Sequence, residues 1–158
     1  MRRACFLLLA LALLAAALPG ASLAQRMGLS NLVVDNQAGR AKVRFGVAVG
    51  AVDAVREALE NGQVLALSCK ASLSQNRNYL WNAEVASTEM LSTLFLHDNG
   101  PYEISLPGGK REHFRGRDLD LVMKEAWGGL SMDLGPWDKL ERGHSYSLDL
   151  EIRLLRQN

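Results

Sequence analysis

Within Ser145 to Leu155 the chain alternates: Tyr146, Leu148, Leu150, Ile152 and Leu154 are apolar, and Ser147, Asp149, Glu151 and Arg153 between them are polar. A period of two sustained this long predicts a half-buried strand of an antiparallel sheet, because successive side chains leave a pleated backbone on opposite sides. A helix would scatter the same residues around its circumference. The rest of the chain must supply what this dry face packs against.

Much of it carries the same pattern. In Ala41 to Val49, Val43, Phe45 and Val47 alternate with Lys42, Arg44, Gly46 and Ala48. In Gln63 to Leu73, Leu65, Leu67, Cys69, Ala71 and Leu73 share one side, which points Cys69 into the core. Leu32-Val33-Val34, closed by Asp35-Asn36 and Gly39, predicts a first strand within Met27 to Asn36. Between these strands, Ala51 to Asn61 places Val52, Val55 and Leu59 on one face with Asp53 in the first turn and Gly62 after the end, the marks of a short helix. Glu84 to His97 favours a strand but blurs at Leu94-Phe95-Leu96, as a strand covered on both faces or carrying a bulge would.

Asp98-Asn99-Gly100 turns that strand into a hairpin with Tyr102, Ile104 and Leu106, and Pro107-Gly108-Gly109 leads on to a short pairing segment, Lys110 to Phe114. Leu119, Val122, Met123 and Ala126 recur at helical spacing between Asp118 and Trp127, before Gly128-Gly129. Leu130 to Gly143, with Gly135-Pro136 and Trp137, has no clear period and is expected as an irregular loop over the core. The order β-β-α-β-β-β-(β)-α-β with short connections implies a mainly β (α+β) fold, an antiparallel twisted sheet or β-sandwich with two short helices.

Residues 1–24 read as an address. Arg2 and Arg3 precede the apolar run Cys5 to Leu18, then Pro19-Gly20 and the small-residue site Ala21-Ser22-Leu23-Ala24, the layout of a secretory signal peptide cleaved near Ala24. That run is shorter than the roughly 20 residues that cross a bilayer, so no transmembrane segment is expected after cleavage. Residues 25–158 are expected as a single globular domain in the periplasm or secreted. With Cys5 in the leader, Cys69 is left without a disulfide partner. The 18 Lys and Arg against 17 Asp and Glu give no general attraction to nucleic acid.

Candidate chemistry is sparse. Cys69 lies on a dry face, where a thiolate is disfavoured. His97, His113 and His144 each sit at or near a turn and form no His-x-x-x-His pair; they read as exposed turn residues, with a divalent metal site conceivable only if His97, His113 and an acid converge. Asp118 and Asp120 suit a helix start, and Asp149 and Glu151 a solvated strand face. No nucleophile elbow, phosphate-binding loop or dinucleotide fingerprint is present, so no enzymatic role, metal or cofactor is expected. A partner-binding surface is the sharper reading. Tyr79, Trp81, Trp127 and Trp137 fall at element ends, where a ring half-buries, and Trp81 and Trp137 would mark such a surface if exposed together. Arg111 and Arg115, in the one basic cluster with Lys110 and Arg117, would meet an acidic partner.

Leu32-Val33-Val34-Asp35-Asn36 followed by Val43-Arg44-Phe45-Gly46, then Val55-Arg56-Glu57-Ala58-Leu59-Glu60-Asn61-Gly62 leading into a strand, and the closing strand from Tyr146, resemble domain-of-unknown-function family 4390 over nearly all of the chain after the leader. The resemblance implies an exported bacterial envelope domain with no established activity, catalytic residue or cofactor, and at most an accessory role in envelope signalling. The expected function is therefore a non-catalytic binding or accessory module with a protein partner in the envelope. A carrier of a small apolar ligand and a metal-dependent hydrolase stand as alternatives.

Overall fold

Two antiparallel sheets carry the alternation read from the sequence. The computed structural model describes residues 27–77, 81–98 and 100–157; the expected leader, Tyr79 and the turn residue Asn99 lie outside them. In chain order the elements are β1 (Met27–Gln37), β2 (Arg40–Val49), α1 (Val52–Glu60), β3 (Val64–Gln75), β4 (Ala83–Leu96), β5 (Tyr102–Ser105), β6 (Arg111–Phe114), α2 (Leu119–Trp127), β7 (Leu130–Pro136), a 3-10 turn (Trp137–Lys139) and β8 (Tyr146–Gln157). The first sheet runs β1-β2-β7 and the second β6-β5-β4-β3-β8. Among the described residues no helix is long and apolar enough to cross a membrane.

The centre of the second sheet is β3. Its Leu67 faces Ser92 and Leu154, its Cys69 faces Met90 and Ile152, and its Ala71 faces Thr88 and Leu150. Flanked on both sides, Leu65, Leu67, Cys69 and Ala71 are fully buried. β8, which has the cleaner sequence pattern, is an edge strand: Leu148, Leu150 and Ile152 are only partly buried against the core, and Leu154 alone is fully inside. Alternation thus reports which face is dry, and strand order decides how dry it becomes.

The helices dock apolar faces onto the sheets. α1 buries Val55, Ala58 and Leu59, and α2 buries Leu119, Val122, Met123, Ala126 and Trp127. The Asp118 carboxylate caps α2 by accepting from the Asp120 N–H at 3.2 Å. Trp127, expected half-buried at its helix end, is instead completely buried. Its indole N–H donates to Ser92 Oγ (2.9 Å), and that hydroxyl donates to the Ser105 carbonyl (2.7 Å). Ser92 is the one buried polar side chain among the described residues, and this relay satisfies it. It also ties α2 to the β4–β5 pair. Gly46 shows how closely β2 approaches the end of α2: a Cβ there would lie 2.7 Å from the Gly128 carbonyl oxygen and 2.7 Å from Ser30 Oγ.

One segment departs from its sequence reading. Leu130 to Gly143 is not an irregular loop throughout, because Leu130–Pro136 forms β7 and pairs with β2 from Phe45 to Arg40. Leu130, Met132 and Leu134 are buried and Ser131 and Asp133 exposed, a period of two too short to stand out before Gly135-Pro136. The ladder shifts register between Ala41 and Lys42, opposite Gly135, whose φ of 106° favours glycine and whose N–H donates to Asp133 Oδ1 at 2.8 Å. At β4, the blurred alternation matches a strand with Leu94 buried and its neighbours Phe95 and Leu96 half-buried; the bulge against β3 lies at the other end of the strand, at Val85 between Glu84 and Ala86.

Candidate functional site

Two surfaces combine chemistry with access. The first is built by register in the β4–β5–β6 meander. Phe95 stands opposite Glu103 and Glu103 opposite His113, so the three share the outer face, while Leu94 and Ile104 fill the inner one. His97, just past the end of β4, keeps the same parity. The hairpin tip fixes its backbone: its N–H donates to the Pro101 carbonyl at 3.3 Å and its carbonyl accepts from the Gly100 N–H at 2.9 Å. Its ring meets Phe95 edge-on, with centroids 4.8 Å apart.

Glu103 is the pivot. Its Oε2 lies 2.7 Å from His97 Nε2 and 3.8 Å from His113 Nδ1, and its Oε1 lies 3.6 Å from Arg111 Nη1. With its side chain 20% exposed against 45% for His97 and 56% for His113, it is the most enclosed of the three. The hydrogen bond with His97 pulls the Glu103 carboxyl below the usual carboxylate range; desolvation opposes this, and the nearby His113 and Arg111 reinforce it. An open groove of about 720 Å³ adjoins the cluster, lined by His97, Asp98, Pro101, His113 and Arg115 among others. Two residues expected to meet an acidic partner, Arg111 and Arg115, therefore sit around this cluster.

The second surface is β1. It is an edge of its sheet, and Leu29, Leu32, Val33 and Val34 are between 38% and 49% exposed. The ladder with β2 shifts between Ser30 and Val33, where Asn31 takes a φ of 53°. That bulge divides the strand into two paired segments. Beneath it a cavity of about 410 Å³ opens between Asn31, Val47, Val49, Met123 and Lys124.

The remaining candidates are dispersed. Trp81 is 92% exposed in the connection before β4, whereas Trp137 is half-buried against the core with its backbone N–H donating to the Gly39 carbonyl at 2.8 Å. They are not exposed together: Trp81 precedes β4 of the second sheet, and Trp137 follows β7 of the first. His144 lies by Glu141, with Nδ1 3.4 Å from Oε2. Burial pushes the Cys69 thiol up to about 11, as its dry face predicts. Asp118 is the cap already described, and Glu151 pairs with Arg153 on the solvated face of β8. His97, His113 and an acid do converge, the condition the sequence sets for a metal site, and the acid, which the sequence leaves unnamed, is Glu103. The parity of Glu103 was visible, but the β5–β6 register that sets His113 opposite it was not.

A family model described as "Domain of unknown function (DUF4390)" matches residues 24–158. No curated protein and no solved structure matches the chain.

Proposed function

The chain belongs to the family of DUF4390 domains, and on that premise we propose that it is an exported, non-catalytic binding or accessory module of the bacterial envelope that takes a protein partner at β1. Export rests on the signal-like layout of residues 1–24. The partner surface rests on one observation: an edge strand with four half-exposed aliphatic side chains, Leu29, Leu32, Val33 and Val34. Natural edges are usually blunted by charge, proline or cover, because unpaired backbone groups beside apolar side chains invite another strand. Among the described residues, β1 is blunted by its bulge and by the Asp35–Arg44 ion pair near its end. A partner strand would add backbone hydrogen bonds along Val33 to Gln37 and cover the aliphatic side chains, the usual division between affinity and specificity in strand addition.

The cavity of about 410 Å³ below the bulge lends some support to the apolar-carrier alternative, since its size suits a small ligand. It opens on the same strand, so one experiment addresses both. A photo-crosslinking residue in place of Ser30 is expected to capture one envelope protein, and Leu32→Lys with Val34→Lys is expected to abolish the capture without loss of fold. A captured small molecule would favour the carrier. Capture undiminished by the two lysines would contradict a β1 site.

A further inference from the structure

On the other sheet, we propose that His97, Glu103 and His113 bind one divalent ion of the zinc class. This is a site beyond the partner surface at β1. The three ligand atoms lie within 4.8 Å of one another. A tetrahedral ion with bonds of about 2.0–2.1 Å holds its ligand atoms about 3.3 Å apart. The present separations from Glu103 Oε2, 2.7 Å to His97 and 3.8 Å to His113, fall on either side of that value. Closing on an ion requires the side chains to shift so that all three separations, none above 4.8 Å, approach that value.

The donor set selects the ion. Two imidazole nitrogens and one carboxylate oxygen suit zinc and its neighbours, and leave a fourth position for water or another ligand from the groove. Magnesium and calcium need six or more oxygens, which this face does not present. A hydrogen bond to Glu103 accounts for His97 alone. His113, at 3.8 Å from the same oxygen, is outside hydrogen-bond reach yet is held directly across the ladder from Glu103. A bridging ion gives both imidazoles one partner.

The surroundings fit a pre-formed site. Glu103 and His113 are fixed by the β5–β6 ladder, and His97 by the hairpin tip and the edge contact with Phe95. Arg111 lies at Oε1, which leaves Oε2 for the ion and orients the carboxylate from behind. Arg111 lies near Glu103, and Arg115 shares the groove with Asp98, so affinity comes from the three ligand bonds and not from surplus negative charge.

Calorimetric titration of the purified, tag-free protein with zinc chloride tests the site. One ion per chain is expected, with affinity at least tenfold weaker in each of Glu103→Gln and His113→Ala, unchanged in His144→Ala, and no competition from millimolar magnesium or calcium. X-ray absorption of the loaded protein is expected to report two imidazole nitrogens among the zinc ligands. The three substituted side chains are substantially exposed or lie on the solvent face of the sheet, and circular dichroism verifies that each variant is folded. No saturable binding, affinity undiminished in His113→Ala, or loss of binding in His144→Ala would overturn the proposal. Each of those results leaves the β1 reading standing.

Discussion

β1 and β3 are both aliphatic strands in the sequence, yet β3 hides Leu65, Leu67 and Cys69 completely while β1 leaves Leu29, Leu32, Val33 and Val34 half-exposed. Both contain runs of aliphatic residues. Their neighbours differ: β3 lies between β4 and β8, whereas among the described residues β1 pairs with β2 on one side only and its aliphatic residues stay half-exposed. The same residue types therefore do opposite work. In the middle of a sheet they hold the fold together, and at its edge they leave apolar surface beside unpaired backbone groups.

The sharpest contrast is in thiol chemistry. Because Cys69 is buried and its thiol is pushed up to about 11, about one thiol in a thousand is ionised at pH 8, and steric exclusion slows attack further. Native protein should resist alkylation, and denaturant should release the reaction. Introduced at the edge by Leu32→Cys, a thiol should be labelled in the native state within minutes. Equal labelling at the two positions would erase the distinction between centre and edge.

Stability should divide the same way. Leu67→Ala removes fully buried methylenes and should cost about 2–5 kcal/mol, read as a lower urea midpoint, whereas Leu32→Ala should change stability by less than about 0.5 kcal/mol. β2, which holds β1 in place, is next. Gly46→Ala would push a methyl against the Gly128 carbonyl oxygen and should cost about 1–3 kcal/mol by overpacking. A neutral outcome would mean that β2 and α2 can separate, and would weaken the frame on which β1 rests.

The smallest effect concerns the join between β2 and β7. Asp133 is held below the usual carboxylate range, chiefly by its hydrogen bond with Arg40 and then by the Gly135 N–H. A depressed carboxyl stabilises the fold above the pKa of the unfolded chain, and that contribution disappears as pH falls through the folded value. Asp133→Asn should therefore lower stability slightly at neutral pH, with the difference from wild type vanishing as pH falls below about 4, and the effect stays small because the pair is exposed.

Much of this architecture is legible in the sequence, for a local reason. Period two along β2, β3 and β8, and helical spacing in α2, are set by neighbours a few residues apart. β7 was obscured because only Leu130, Met132 and Leu134 repeat before a glycine and a proline interrupt them. The His97–Glu103–His113 cluster was less legible still. It depends on the register of β5 with β6, which a short turn fixes through the Leu106 N–H to Lys110 carbonyl bond at 2.7 Å, and no side-chain pattern encodes that pairing. Exposure at β1 was invisible for the complementary reason: Leu32-Val33-Val34 looks like any buried strand until the sheet order is known.

Hydrogen exchange read by mass spectrometry on the free protein tests the open edge most directly. Peptides covering Val64–Gln75 should exchange only through global unfolding, and those covering Met27–Gln37 should exchange far faster, with alternate amides unprotected on the side facing away from β2. Uniform slow exchange across Met27–Gln37, matching β3, would mean that β1 is already paired or covered, and would contradict its proposed role as a binding edge.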